Sequence, residues 1–316
     1  MGSPSDLKPI VVVVGPTAVG KSAISIALAQ ALNAEIVNAD SMQLYRGMDI
    51  GTAKLPMAER GDIEHHMLDV LDVTETANVA EYQRGTRSVI EQIQSRGKQV
   101  VLVGGSGLFV QAVLEAMEFP GSDPGIRQRL TDEARELGTE ALYQRLVGLD
   151  SQAAMNILPT NERRIIRALE VIELTGEAPT TTIGDLPVVV PSIRIGLRCS
   201  REILDDRIEQ RVAVMWEQGL VQEVQELEQK GLRDGLTASK ALGYAQLLDY
   251  LSGDCSEADA RIRTVTGTRR YVRRQESWFN RDKRIAWFDV ANPGDVSEHQ
   301  RLLAEVLTHI NSANIV

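Results

Sequence analysis

The chain is poor in cysteine and in aromatic residues, and it has no long apolar run. Two cysteines in 316 residues, Cys199 and Cys255, lie far apart without a C-x-x-C pattern. That argues against a disulfide scaffold and a cysteine-ligated metal centre and fits a reducing cytoplasm, where both are isolated thiols. No uninterrupted hydrophobic stretch is long enough to span a bilayer, so no membrane partner is expected. The first eight residues, MGSPSDLK, are polar and do not resemble a signal peptide. A net charge of −10 argues against a nucleic-acid partner if the charge is evenly spread. What remains, 43% hydrophobic and 25% charged, is an ordinary globular composition with chain enough for one large domain or two smaller ones.

Against this plain background stands VVVVGPTAVGKSAI, residues 11–24. Gly15 to Ser22 spell G-x-x-x-x-G-K-[ST] between a four-valine strand and the helical pattern AISIALAQAL. In that setting the backbone N–H groups of Gly15, Pro16, Thr17, Ala18, Val19, Gly20, Lys21 and Ser22 (proline excepted) and the helix dipole converge on an anion. Lys21 can reach terminal phosphate oxygens, and the Ser22 hydroxyl can bind a magnesium ion carried by the phosphates. A phosphorylated ligand follows; its identity does not.

Strand and helix signals alternate along the first part of the chain. Residues 35–39 read as a second short strand with Asp40 at its carboxyl end, facing the crevice of the phosphate loop. HHMLDV, 65–70, suggests a third strand; 79–97 reads as a helix ending at Gly97. KQVVLVGGSGLFVQAVLEAM repeats the strand, glycine turn and helix, with Gly104, Gly105 and Ser106 at the turn. The fold class is therefore α/β: a P-loop-containing parallel sheet flanked by helices. After FPGSDPG come helical segments at 124–137, 139–147 and 161–175, and no strand until 192–200. The expected organisation is a core over 9–117, a helical insertion over 118–190, and a second part of the core over 191–316 with C-terminal helices, 201–230 and 256–280 being long and charged.

The charge is not evenly spread. From Arg261 to Arg284, nine Arg or Lys face only Glu276 and Asp282, a local +7, so the rest of the chain carries −17. Arg269, Arg270, Arg273 and Arg274 recur at helical spacing, and Tyr271, Trp278 and Phe279 lie among them. Phosphate contacts with base stacking would produce this pattern; so would a solvated basic face with its aromatics turned inward. His65 and His66, adjacent on a strand, point to opposite faces and favour a polar network over a shared metal. Trp216, Trp278 and Trp287 read as packing residues, with Trp278 also able to stack on RNA.

The phosphate chemistry stays open on these grounds. A nucleotide hydrolase wants an Asp closing a hydrophobic strand as a second magnesium partner, whereas VVLVGGS closes in glycines. Asp40 as a metal ligand keeps a nucleoside or nucleotide kinase in view. Alternatively, Asp40 accepts a proton from a nucleophile that attacks carbon and expels diphosphate.

The successive motifs GPTAVGKS, NADSMQLYRGMDIGTAK, HHMLDV, LVGGSGLFVQAVLEA, SDPGIRQRL, NERRIIRALEV, RIEQRV, ALGYAQLLDYL and TRRYVRRQESWF resemble, in order, those of the tRNA dimethylallyltransferases of bacterial type. The resemblance runs from about residue 10 to 290. It implies transfer of a dimethylallyl group from dimethylallyl diphosphate to the exocyclic amine of the adenosine 3′ of the anticodon. By the same resemblance, Thr17, Gly20, Lys21 and Ser22 cradle the diphosphate and Arg211 helps neutralise it. Asp40 is the general base, ionised at neutral pH, and Asp40, Ser41, Met42 and Gln43 touch tRNA. Ser106 stands where a Thr near the target base is usual. Arg127, Arg163, Arg164 and Arg167 contact tRNA from the insertion, with Arg163 where many members have glutamine. Arg270, Arg273 and Arg274 would hold the RNA backbone. Catalysis is then expected from Asp40, Lys21, Arg211 and Ser106, with magnesium at Ser22, in a cytoplasmic monomer whose partners are the anticodon stem-loop and the diphosphate.

Overall fold

The structure, a computed structural model, describes residues 7–177 and 186–313. Residues 1–6, 178–185 and 314–316 lie outside the described residues; of these, 178–185 fall within the expected insertion and 314–316 within the expected second part of the core.

The larger of two units runs to Ala116 and resumes at Pro187. Its centre is a sheet of six parallel strands, β1 (Ile10–Val14), β2 (Ala34–Asn38), β3 (His65–His66), β4 (Gln99–Gly104), β5 (Ser192–Arg198) and β6 (Ile285–Asp289), in the order β3-β2-β4-β1-β5-β6. Parallel sheets are covered on both faces, and β1 shows how one run of valines serves both. Val11 and Val13 pack with Ile24 and Leu28 of α1 (Lys21–Leu32), Leu204 and Ile208 of α8 (Arg201–Glu217), and Leu302, Val306 and Ile310 of α12 (Val296–Ala313). Ile10, Val12 and Val14 face the other way, onto Tyr82, Ile90 and Ile93 of α2 (Val79–Ser95) and Phe109 and Val113 of α3 (Gly107–Leu114). Ile90 and Ile93 are fully buried, so truncating either to Ala would cost about 2–5 kcal/mol.

Strand order decides where the chemistry lies. β4 enters between β2 and β1, with Val14 opposite Gly104 and Asn38 opposite Val103. The carboxyl ends of three strands are thereby adjacent, and the segments leaving them are the phosphate loop, Asp40–Gln43 and Gly105–Ser106.

A third helical layer packs on the segment after β2. Tyr45 and Met48 are fully buried against Leu220, Val224 and Leu227 of α9 (Leu220–Gln229) and Tyr244 and Leu247 of α10 (Tyr244–Leu251). Glu223 accepts hydrogen bonds from the backbone N–H groups of Asp49 (3.1 Å) and Ile50 (2.8 Å) and from the Tyr244 hydroxyl (2.6 Å). Lys54, 7% exposed, donates to the Tyr45 carbonyl at 2.8 Å and pairs with Asp49 and Asp69 at 2.6 Å each.

The smaller unit, Met117–Leu186, is helical over its described residues: α4 (Pro124–Leu137), α5 (Thr139–Leu149), α6 (Ser151–Met155) and α7 (Glu162–Thr175). Asp123 caps α4 by accepting from the N–H groups of Gly125 and Ile126, with Pro124 in the first turn. Leu130, Leu142, Leu146, Ile165 and Leu169 form its core.

Several expectations need correction. The strand expected over 65–70 ends at His66, because Met67 and Asp69 adopt left-handed backbone (φ 58° and 56°). The break expected at 190 comes at 186, since Ala116 N–H donates to Pro187 O and Val189 and Val190 N–H donate to Leu114 O. The helix expected over 201–230 is two helices, interrupted at Gly219 (φ 96°). β6, α10 and α12 add elements that the patterning did not single out.

Candidate active site at the phosphate loop

The loop between β1 and α1 turns through Gly15 at φ 146° and lifts Ala18 into the left-handed region at φ 70°. A Cβ on Gly15 would meet the backbone of Leu197 on β5. The Ala18 conformation is unfavourable for a residue with a side chain, and Arg207 of α8 holds it by donating from Nε to Ala18 O at 2.9 Å. Lys21, half-buried at the helix start, donates from Nζ to Gly15 O (3.0 Å) and Pro16 O (2.8 Å). Its ammonium therefore closes the loop on itself, in reach of the same space an anion would take. Ser22 is exposed, and its hydroxyl forms no hydrogen bond among the described residues. His299 Nε2, buried without a hydrogen-bond partner, and Pro293 line the outer flank of Gly20, each 3.7 Å from where a Cβ would sit.

Charge concentrates around this loop. Burial and the neighbouring Arg211 bring the Lys21 ammonium down to about 8, against the pull of Asp40. Burial, then Arg207, lowers Arg211, again opposed by Asp40. Burial raises the Asp40 carboxyl, while the Met42 and Gln43 amides and the Lys21 and Arg211 charges hold it down. One carboxylate thus stands between two cations in a poorly solvated site. Asp40 is oriented by Met42 N–H, which donates to Oδ1 at 2.9 Å, and by Asn38, which caps the turn from both ends.

Ser106 joins this group. Its Oγ accepts from Ser41 N–H at 3.3 Å and lies 3.4 Å from Ser41 Oγ. Behind it runs α11 (Glu257–Phe279), the basic helix. The Tyr271 phenol, pushed up to about 12 by burial and by Asp40, has the Ser106 and Gln275 side chains as hydrogen-bond partners, and the Arg274 guanidinium lies 5.8 Å from its ring centroid. Gln275 is buried and ties Thr17 N–H to Gly105 O.

The structure therefore brings together Asp40, Lys21, Arg211, Ser106 and the loop from Gly15 to Ser22, with Ser41, Met42 and Gln43 on the adjoining turn; Gln43 donates to Thr52 O at 3.1 Å. On α11, Arg270, Arg273 and Arg274 are exposed without an ion-pair partner among the described residues, whereas Arg269 is paired with Glu209 (3.1 Å) and Asp205 (3.5 Å). In the smaller unit Arg163 and Arg164 are exposed and unpaired among the described residues. Arg127 and Arg167 instead converge on the fully buried Glu170 at 2.7 and 2.8 Å. His66 belongs to a polar network: buried Glu35 receives His66 (2.6 Å), Arg96 (2.7 Å) and Lys98 (2.9 Å). Trp216, Trp278 and Trp287 pack against the cores.

Arg207, Tyr271 and Gln275 were not singled out as members of the site by the patterning. Arg207 was findable, four residues before Arg211 on one helix and so on the same face. A basic helix with a buried glutamine carries no comparable mark.

The family model described as IPP transferase matches residues 43–282. A tRNA dimethylallyltransferase of Thermobifida fusca is 56% identical over 94% of this chain and 94% of its own length. One of Kineococcus radiotolerans is 50% identical over 99% of this chain and all of its own. Among solved structures, a tRNA isopentenylpyrophosphate transferase of Bacillus halodurans aligns with a TM-score of 0.71 at 38% identity, covering 96% of each chain. A eukaryotic dimethylallyltransferase captured acting on tRNA aligns with a TM-score of 0.80 at 28% identity, over 96% of this chain and 80% of that one. With a family match over most of its length and relatives at half identity or better end to end, the chain belongs to the tRNA dimethylallyltransferase family.

Proposed function

We propose that this protein transfers a dimethylallyl group from dimethylallyl diphosphate to the exocyclic amine of the adenosine 3′ of the anticodon in tRNA, releasing diphosphate. The observation that carries this reading is the meeting of Asp40 with Lys21 and Arg211 at the adjacent ends of β1, β2 and β4. The nucleoside or nucleotide kinase alternative is not favoured by the names of the relatives.

The chemistry follows from charge. As the allylic carbon–oxygen bond breaks, its electron pair goes to the diphosphate, and Lys21, Arg211 and the loop N–H groups stabilise that charge in a site where few waters compete. Allylic resonance spreads the positive charge left on carbon. The adenine amine is a poor nucleophile because its lone pair is delocalised into the ring. Asp40 aligns it by hydrogen bonding and takes its proton as the carbon–nitrogen bond forms. A carboxyl whose pKa burial has raised is a better base for that proton than a solvated one. Ser106, hydrogen-bonded to the Asp40–Ser41 turn, would help to seat the base. The adenine must leave the stack to reach these groups; Arg270, Arg273 and Arg274 on α11 would hold the RNA backbone beside it, and the unpaired Arg163 and Arg164 of the helical unit would supply further backbone contacts.

Ser22 offers a hard, unpartnered oxygen at a helix start, the donor type that magnesium takes. A magnesium ion held there with the diphosphate would supply further charge neutralisation for the leaving group. No helix of the described residues is long and apolar enough to cross a membrane, and a monomer acting in the cytoplasm is our reading.

The test is incubation with labelled dimethylallyl diphosphate and an anticodon stem-loop, beside an ATP control. Prenylated adenosine after digestion of the RNA, formed without ATP consumption, is expected. ADP with a phosphorylated acceptor and no prenylated nucleoside would overturn the reading.

A further inference from the structure

We propose that Gln275 is a positioning residue that sets the spacing between the diphosphate loop and the acceptor turn, an inference resting on the prenyl-transfer reading of the site. Gln275 is 3% exposed on α11, and its amide works from both ends. Oε1 accepts from Thr17 N–H at 2.9 Å, and Nε2 donates to Gly105 O at 3.1 Å. Thr17 follows β1 and Gly105 follows β4. Past the strand ladder, no other hydrogen bond joins these two segments among the described residues.

The neighbourhood is shaped for this amide. A Cβ on Gly105 would collide with Gln275 Nε2, so the turn is bare where the side chain arrives. The Thr17 N–H is committed to Gln275, so the donors left for an anion begin at Ala18. One helical turn earlier, Tyr271 faces Ser106 and Asp40. A single face of α11 therefore touches the loop that would fix the carbon of the donor and the Gly105–Ser106 turn, here the acceptor turn, which through Ser41 abuts Asp40, the group that would align the nitrogen of the acceptor.

Reaction between two bound partners depends steeply on their separation, with reacting atoms needing to lie about 3–3.5 Å apart. The diphosphate loop and the acceptor turn hang on different strands, and a side chain bonded to both removes their relative freedom. Only a carboxamide suits the place: a carboxylate could accept from Thr17 but would face the Gly105 carbonyl with another acceptor, and an ammonium could only donate.

The test compares wild type with Gln275→Met, which cannot donate and offers only a weak thioether acceptor, and Gln275→Glu, which keeps only the acceptor. Single-turnover transfer to a stem-loop RNA should slow about tenfold to a hundredfold in both. Binding of inorganic diphosphate and of the stem-loop, measured calorimetrically, should stay within about threefold, because the buried Gln275 amide is taken up by Thr17 and Gly105. Normal transfer rates, or a rate loss matched by an equal loss of diphosphate binding, would overturn the proposal. Should those variants fail to fold, Gly105→Ala provides a second route, since it displaces the amide from the other side. Gly105→Ala should slow transfer about tenfold or more while inorganic diphosphate binding stays within about threefold; unchanged transfer would count against the strut. Wild-type protein that prenylates no RNA would overturn the underlying reading of the site, whereas an active wild type with unaffected variants overturns this inference alone.

Discussion

Arg207 and Arg211 stand one turn apart on α8 beside the phosphate loop, and neither guanidinium has a carboxylate ion-pair partner among the described residues; after burial, Arg207 is the main cause that lowers Arg211. Two poorly solvated like charges kept together are costly unless an anion joins them. Replacing Arg211 by Gln should weaken inorganic diphosphate binding about tenfold or more, while thermal melting of the ligand-free protein stays level or rises. Arg207→Lys should also weaken binding, since an ammonium cannot both hold Ala18 O and present a planar pair of donors. A melting temperature that drops with diphosphate binding intact would contradict this account.

The pH profile follows from Asp40 and Lys21. Burial raises the Asp40 carboxyl, so kcat/KM should climb with pH along an acid limb displaced upward from that of an ordinary aspartate. Lys21 loses its proton near 8, so kcat/KM for the allylic substrate should fall above about pH 8. Stability moves the other way. The unfolded chain keeps the Lys21 proton up to its ordinary 10.5, so between about 8 and 10.5 the unfolded state binds more protons and the folded state gains as pH rises. Initial-rate profiles and melting curves on the same buffers check both signs.

Removing the Lys21 charge should reach across to the base. Lys21 is one of the groups that hold the Asp40 carboxyl down, so Lys21→Met should shift the acid limb to higher pH as well as weaken diphosphate binding. An unshifted limb in a variant that still turns over would separate the two residues.

Asp40→Ala should lower single-turnover transfer about a hundredfold or more, with diphosphate binding nearly intact, because the carboxylate acts on the nucleophile and not on the leaving group. Near-normal transfer would remove Asp40 from its role as base.

The exposed arginines of α11 should reveal themselves through salt. Arg270→Gln, Arg273→Gln and Arg274→Gln should each weaken stem-loop binding and flatten the salt dependence of log K by about 0.7 to 1. Arg269→Gln should leave the slope alone, since that side chain is paired with Glu209 and Asp205.

What was legible in the sequence is what local chemistry writes down. Gly15 to Ser22 announced an anion loop by spacing, and Asp40 announced itself by closing a short strand. The entry of β4 between β2 and β1 was not legible, because strand order is a property of long-range pairing. β6 escaped because its short apolar run, IAWF, does not by itself distinguish a strand from the end of the preceding helix. Gly219 split a helix whose charged pattern continued unbroken on both sides. Gln275 was hidden among arginines, and only the tertiary fold tells a buried amide from a solvated one. The resemblance supplied roles that spacing could not, although Arg127 and Arg167 turn out to share a buried carboxylate, Glu170.

The flank of Gly20 is finished by Pro293 and His299, residues that arrive only after the sheet is complete. Trimming the chain behind Asp289 would thus open the rear of the catalytic crevice to water, and a tag or fusion spliced into that stretch would act as an active-site lesion despite its remoteness in sequence.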